Sequence, residues 1–315
     1  MLTDKKISAI VICYYDEPAI PIMHERLSAT LQKITHDYEI IYVNDASPDN
    51  AEVVLADLAK KDSRLTVINH SRNFSAQNAF ISGMTQSLGD AVVLLDGDLQ
   101  DPPEMIEDFV KKWLEGYDVV YGIRVKREAT RFMQIMYKLF YRLFKKLSYI
   151  NVPVDAGDFS LMDRKVVNAL IAMPERDIFL RGLRAWTGFK QTGINYVRPE
   201  RMFGQSTNNL IRNIRWAKKG IFSFSYIPLE LISFIAFFVT LLAAIGLVFY
   251  VGLYFFYPVR AQGIMTVIVL VLFLGCIQLL SLSIIAEYLT KIFEETKQRP
   301  KYIVKNILND HRNNK

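Results

Sequence analysis

Two long stretches without a single charged side chain, Leu231 to Val259 and Ala261 to Ala286, constrain this chain more than any other feature. Each exceeds the ~20 residues an α-helix needs to cross the hydrocarbon core of a bilayer. Two adjacent charge-free runs of this length are poor candidates for core helices of a soluble domain, so a hairpin of two transmembrane helices over 229–288 is predicted. The connector between them holds Arg260 alone, whereas Lys218, Lys219, Lys291, Lys297, Arg299, Lys301 and Lys305 flank the other ends. The positive-inside rule then puts both termini in the cytoplasm, in a multi-pass protein of the cell inner (plasma) membrane.

The residues before the hairpin are numerous enough to bury a core of their own. The formal net charge of +6 has much of its excess beside the apolar tail. That placement suits an acidic membrane surface or a phosphate-rich substrate, and no nucleic-acid partner is expected. Cys13 and Cys276 are the only cysteines, too few for a disulfide framework or a metal-binding pair. The opening MLTDKKISAIVICYY has an apolar run too short for a secretory signal. The polar end from His311 to Lys315 reads as a frayed tail.

The first part alternates short β-rich apolar runs with helical patterns, the signature of βαβ units building a mostly parallel sheet. Predicted strands are Ile7 to Tyr14, Tyr38 to Val43, Leu65 to Asn69, Ala91 to Leu95 and Asp118 to Tyr121, with helices starting near Pro18, Asn50, Ser75 and Pro103. Ligands of open α/β sheets sit off the carboxyl ends of the strands, which places Tyr15, Glu17, Asp45, Asp96 and Asp98 on one functional edge. From Thr130 to Ile150 apolar residues such as Phe132, Ile135 and Leu139 share one helical face, with Arg131, Lys138 and Arg142 opposite. Such a helix either lies in the lipid interface or covers a core. Arg212, Arg215, Lys218 and Lys219 around Trp216 read as an interfacial segment just before the hairpin.

Strand Ala91 to Leu95 runs into Asp96, Gly97 and Asp98, then Gln100 and Pro102-Pro103. Two carboxylates one residue apart at a strand end can share a hard divalent cation, Mg2+ or Mn2+, which in turn holds the phosphates of a nucleotide diphosphate. Gly97 is expected to permit a tight backbone turn between them.

Taken in order, VICYYDE, IYVNDASPDN, LLDGDLQDPPE, YGIR, DAGDFSLMDR and RMFGQS resemble the successive motifs of family 2 inverting glycosyltransferases with the GT-A fold. Within that family the chain is most similar to the polyisoprenyl-phosphate branch, which includes bactoprenol glucosyltransferases and dolichol-phosphate mannosyltransferases. The resemblance implies an α/β, Rossmann-like catalytic domain over 1–200. It also implies an active-site loop and juxtamembrane helix over 201–228, the hairpin over 229–288 and a cytoplasmic tail over 289–315. It further implies a nucleotide-sugar donor, UDP-glucose in preference to another UDP-sugar or GDP-mannose, and a polyprenyl (undecaprenyl) phosphate acceptor. Self-association through the spans is left open.

Carried over position by position, the resemblance implies that Cys13, Tyr15, Glu17 and Asp45 line the nucleotide site. Asp96 would lie near nucleotide and metal, with Asp98 the main metal ligand and Gln100 in support. Arg124, Arg131, Asp155 and Ser206 would meet the acceptor phosphate, and Arg201 would reach the diphosphate from a mobile Gly204-Gln205-Ser206 loop. Asp158 would face the acceptor and join Asp96 and Asp98 as catalytic groups. A phosphate monoester with a second pKa of about 6 is mostly ionised at neutral pH, so little general-base work falls to Asp158. Rival readings are a processive synthase, for which two spans build no channel, and a catalytically silent nucleotide-binding membrane scaffold. A dinucleotide oxidoreductase would need a Gly-x-Gly-x-x-Gly turn where Tyr14, Tyr15, Asp16 and Glu17 stand.

Overall fold

The computed structural model describes residues 1–124, 150, 156–200, 202–203, 222–256 and 263–312. The helix expected over 130–150, Ile150 apart, and the basic stretch from Arg212 to Lys219 lie outside those residues, as does the connector around Arg260.

The head alternates β1 (Ile7–Cys13), α1 (Ile20–Ile34), β2 (Tyr38–Asn44), α2 (Ala51–Lys61), β3 (Leu65–His70), α3 (Ala76–Gln86), β4 (Ala91–Asp96), α4 (Ile106–Leu114) and β5 (Val119–Arg124). It continues with β6 (Ala156–Asp163), α5 (Arg164–Ala172), α6 (Leu180–Trp186) and β7 (Gln191–Tyr196). Two long helices follow, α7 (Ile227–Phe256) and α8 (Ile264–Thr296), and then β8 (Val304–Leu308). All strands join one eight-stranded sheet in the order β7-β5-β6-β4-β1-β2-β3-β8. Neighbours β4, β1, β2 and β3 are parallel, whereas β6 runs antiparallel to both β4 and β5.

The alternation of a strand explains the two-sided core. On β1, Ile7, Ala9 and Val11 feed one buried cluster, and Ile10 and Ile12 feed the other. A strand covered on both faces reads as a continuous apolar run, which is what ISAIVIC is. Helix α1 adds Ile20, Met23, Leu27, Leu31 and Ile34, spaced by three and four, to the first cluster. Strands β6 and β7, and helices α5 and α6, were not anticipated. The run AGDFSLMD lacks clean alternation, and its slot between β4 and β5 depends on register rather than on local pattern.

Helices α7 and α8 are each long and apolar enough to cross a membrane, and their most apolar windows have no residue buried within the protein. Phe234, Phe237, Val248 and Leu279 are each more than two-thirds exposed. Core helices of a soluble protein would hide such side chains. At about 1.5 Å per residue, α8 is some 50 Å long, well beyond a hydrocarbon core of about 30 Å. Its final turns dock on the head: Glu295 Oε1 accepts from the backbone N–H of Arg176 at 2.8 Å, and Lys291 pairs with Asp177. The segment after the hairpin, expected as a separate tail, supplies β8 to the sheet beside β3.

Candidate active site

The carboxyl ends of the parallel strands carry concentrated backbone strain. Tyr15, Ala46, Ser75 and Leu99, which follow β1, β2, β3 and β4, all have positive φ, between 52° and 78°. Left-handed backbone is unfavourable for side chains of these types and is tolerated where the surroundings over-determine it, as at binding sites. Gly97 sits in the turn without a positive φ, and close backbone approach is what requires a glycine there. A Cβ there would lie 2.7 Å from the carbonyl oxygen of Ile12. Its N–H donates to that same oxygen at 2.9 Å, pressing the Asp96–Asp98 turn against the end of β1.

Asp96 ends β4, and Asp98 lies on the following turn, 5% exposed. Asp98 Oδ1 accepts from the Gln100 N–H at 3.1 Å, and the Gln100 side chain donates to the Pro199 carbonyl at 3.1 Å. That bond ties the acidic turn to the segment that follows β7. Facing the pair is Arg198, whose guanidinium lies 3.8 Å from Asp96 and 3.7 Å from Asp98. Burial in the groove, then the proximity of Asp101, Asp98 and Asp158, push the Asp96 carboxyl up to about 8, with Arg198 acting in the opposite sense. The groove is therefore short of positive charge at this point, and a divalent ion fits the donor set. Among the described residues no three His, Cys, Asp or Glu side chains form a metal cluster. An ion held by Asp96 and Asp98 would complete its shell with diphosphate oxygens and water, a common arrangement for Mg2+.

One side of the edge is built from the ends of β1, β2 and β3. Tyr15 is 55% exposed, with its N–H donating to Ser47 Oγ at 2.8 Å. Glu17 accepts from the Asn50 N–H at 3.3 Å. Asp45 is buried, and its Oδ1 receives both His70 Nδ1 at 2.8 Å and the Phe74 N–H at 2.9 Å. Asn50, not Asp45, is the residue preceding α2. The Cys13 side chain is 1% exposed and belongs to the core, while its carbonyl accepts from the Asp45 N–H at 3.2 Å. Burial, then Asp16 and Asp49, hold its thiol well above the usual range, so it stays neutral.

On the opposite side, Arg124 is the last residue of β5 rather than a loop residue. Its Nε donates to the Tyr196 hydroxyl at 3.2 Å, which donates to Asp101 Oδ1 at 3.0 Å, and Asp101 Oδ2 accepts from the Asp96 N–H at 3.3 Å. Burial opposes the Arg124 charge, but Tyr196, Asp101 and Asp96 outweigh it and keep the cation above its ordinary range. Asp158, on β6, is clamped by Arg181 through Nε at 2.9 Å and Nη2 at 3.2 Å, and Gln77 donates to it at 2.9 Å. Burial would raise its pKa, yet Arg181, Arg184 and Gln77 hold it below the ordinary carboxylate range. Arg184 is fully buried, and that burial pushes it down to about 10. Its Nη2 donates to the Gly157 carbonyl at 3.3 Å.

The structure thus brings Asp96, Asp98, Gln100, Arg124 and Asp158 to one edge of the sheet, with Tyr15, Glu17 and Asp45 at the neighbouring strand ends. Arg131, Asp155, Arg201, Gly204, Gln205 and Ser206 lie outside the described residues. Sequence reasoning missed Arg198, Tyr196, Asp101, Arg181 and Gln77. Asp101 stood within the quoted acidic motif. The others carry no local signal: Arg181, Tyr196 and Arg198 come from α6, β7 and the residues just after it, and Gln77 from the first turn of α3.

A carboxylate pair at the end of β4 and its following turn, faced by Arg198 at the carboxyl edge of a mostly parallel sheet, is the arrangement of an α/β enzyme site. The chain belongs to glycosyl transferase family 2, whose sequence profile matches residues 8–171. It is 35% identical over 304 residues to a bactoprenol glucosyl transferase of Shigella phage SfV, covering 96% of this chain and 98% of that protein. It is 38% identical over 303 residues to an uncharacterized glycosyltransferase of Synechocystis sp., covering 96% and 95%. A mannosyltransferase from Pyrobaculum calidifontis, solved with GDP-Man and Mn2+, is similar at TM-score 0.49 and 18% identity, covering 70% of this chain and 64% of that one. The chain is a glycosyltransferase with the GT-A fold that its motif order implied.

Proposed function

We propose that this enzyme transfers glucose from UDP-glucose to a polyprenyl phosphate at the cytoplasmic face of the inner membrane, with inversion at the anomeric carbon. The relatives named as bactoprenol glucosyl transferases support the lipid acceptor and the sugar. The observation that carries the reading is the Asp96–Asp98 pair with Arg198 and Arg124 in a head on which the second of two exposed apolar helices docks.

In this reading Tyr15, Glu17 and Asp45 hold the nucleoside, and Asp96 and Asp98 hold a divalent ion supported by Gln100. The bound ion would offset negative charge on the departing nucleoside diphosphate. Arg198, beside the carboxylate pair, meets diphosphate oxygens together with Arg201, a task to which a guanidinium fork is suited. Arg124, with Arg131, Asp155 and Ser206, receives the acceptor phosphate. The phosphate oxygen attacks the anomeric carbon opposite the leaving group, and proximity contributes a large part of the acceleration. Asp158, with both oxygens engaged, orients Arg181 and the acceptor wall rather than taking a proton. The docked end of α8 keeps the groove near headgroup height, where a carrier whose chain stays in the bilayer presents its phosphate. Basic segments flanking the spans favour an anionic carrier.

The test is to incubate the full chain in membranes with radiolabelled nucleotide-sugars and undecaprenyl phosphate, with and without a chelator. Label from UDP-glucose should enter the lipid phase, and chelation should abolish it. Label from GDP-mannose instead would replace the donor. No lipid-phase label from any donor would leave a catalytically silent membrane scaffold.

A further inference from the structure

The strand that follows the membrane hairpin is wired to the nucleotide edge by side chains. Strand β8 pairs antiparallel with β3, with Asn69 opposite Asn306, and Asn69 in turn stands opposite Asn44 on β2. Across that row the Asn69 amide donates to Asn306 Oδ1 at 2.7 Å, and the Asn44 amide donates to Asn69 Oδ1 at 2.9 Å. The Asn44 oxygen then accepts from the Ser47 N–H at 2.9 Å, and Ser47 Oγ accepts from the Tyr15 N–H at 2.8 Å. Asn44 and Asn69 are buried, so each amide must find partners inside the protein. One row above, the Tyr302 ring stacks on His70 at 5.5 Å between centroids and 13° between planes. His70 has no exposed side-chain surface, and it holds the carboxylate of Asp45.

We propose that Asn306 and Tyr302 are positioning residues of the nucleotide site. Asn306 fixes the strained backbone of Tyr15 through the Asn69–Asn44–Ser47 chain, and Tyr302 fixes the Asp45 carboxylate through His70. The inference rests on the nucleotide-binding reading of Tyr15 and Asp45 given above. Its physical basis is directional. Asn306 supplies an acceptor, and removing it leaves a buried Asn69 N–H unpaired and free to rotate, which releases Asn44 and Ser47 in turn. Because β8 begins only a few residues after α8, the chain that leaves the membrane also completes the donor site.

The test uses the full chain in detergent and follows UDP affinity, the KM for UDP-glucose, kcat and the unfolding midpoint. Asn306 is exposed, and the β8 backbone ladder does not depend on its side chain. Asn306→Leu should weaken UDP binding and raise the donor KM by about fivefold, the scale of one net hydrogen bond, with kcat nearly unchanged and the unfolding midpoint lowered modestly by the unpaired Asn69 N–H. Asn306→Asp keeps an acceptor oxygen and should bind like the parent. Tyr302→Ala should repeat the loss, and Tyr302→Phe, which keeps the stacked ring, should not. Unchanged UDP affinity in both Asn306→Leu and Tyr302→Ala, beside a parent that binds UDP, overturns this inference alone. Equal losses in Asn306→Leu and Asn306→Asp overturn it too, because the acceptor oxygen would then be irrelevant. A parent protein that binds no nucleoside diphosphate overturns the donor-site reading itself.

Discussion

The Tyr196 hydroxyl donates a 3.0 Å hydrogen bond to the buried carboxylate of Asp101. Through that bond the last residue of β7 joins Arg124, at the end of β5, to the turn that presents Asp96 and Asp98. Tyr196→Phe removes the link without changing the ring. The expected result is a loss of about 1–2 kcal/mol in urea unfolding, since Asp101 loses a buried donor, together with a higher KM for the lipid acceptor. An unchanged acceptor KM would show that Arg124 needs no such tether.

Asp98→Asn removes a charged oxygen from the carboxylate pair while keeping its size. Turnover should fall by about 100-fold or more, the scale seen when one electrostatic stabiliser is lost from an active site. The measurement is label transfer over a Mn2+ titration, and excess metal should restore only part of the rate.

Arg198 lies within 4 Å of both carboxylates and so competes with a divalent ion for their field. Replacing it with glutamine should tighten Mn2+ binding to the nucleotide-free protein by about fivefold, by relief of charge repulsion. The same change should weaken UDP binding in the presence of the ion. Electron paramagnetic resonance of free Mn2+ reads the first effect and calorimetry the second, and the opposite signs separate this role from simple destabilisation.

Asp158→Asn leaves Arg181 and Arg184 facing one another without their shared anion. The loss should be about 3 kcal/mol of stability, as for breaking a buried ion pair from one side. Turnover should fall because the acceptor wall loosens. Near-normal turnover with donor binding intact would remove Asp158 from the machinery.

His24 contributes a pH dependence to stability. Burial lowers its pKa, and the nearby Asp62, 3.4 Å away, only partly opposes that shift. The folded state therefore favours the neutral ring, and the contribution is complete above the unfolded value of about 6.5. Stability should decline as pH falls below that value and the unfolded chain takes up the proton first. His24→Gln should flatten the decline in urea titrations between pH 7 and pH 5.

Local sequence was enough for the parts whose signals are local. The runs ISAIVIC and AVVLLD read as buried strands, and they form β1 and β4. The placement of Tyr15, Asp45, Asp96 and Asp98 at strand ends followed from parallel topology alone, and the apolar hairpin followed from length and the absence of charge. Tertiary structure decided the rest, because it depends on which distant segments meet. Antiparallel β6 enters between β4 and β5 and brings Asp158, which only the motif resemblance had pointed to, to the same edge, where α6 delivers Arg181, a residue with no mark in its neighbours. Arg198 reads as an ordinary charged residue in YVRPE until β7 sets it against two aspartates. The segment after α8 looks like a polar tail, since a five-residue edge strand has too few alternating positions to stand out. Only the ladder from Asn306 to Asn69, a contact between residues separated by most of the chain, shows that it belongs to the sheet.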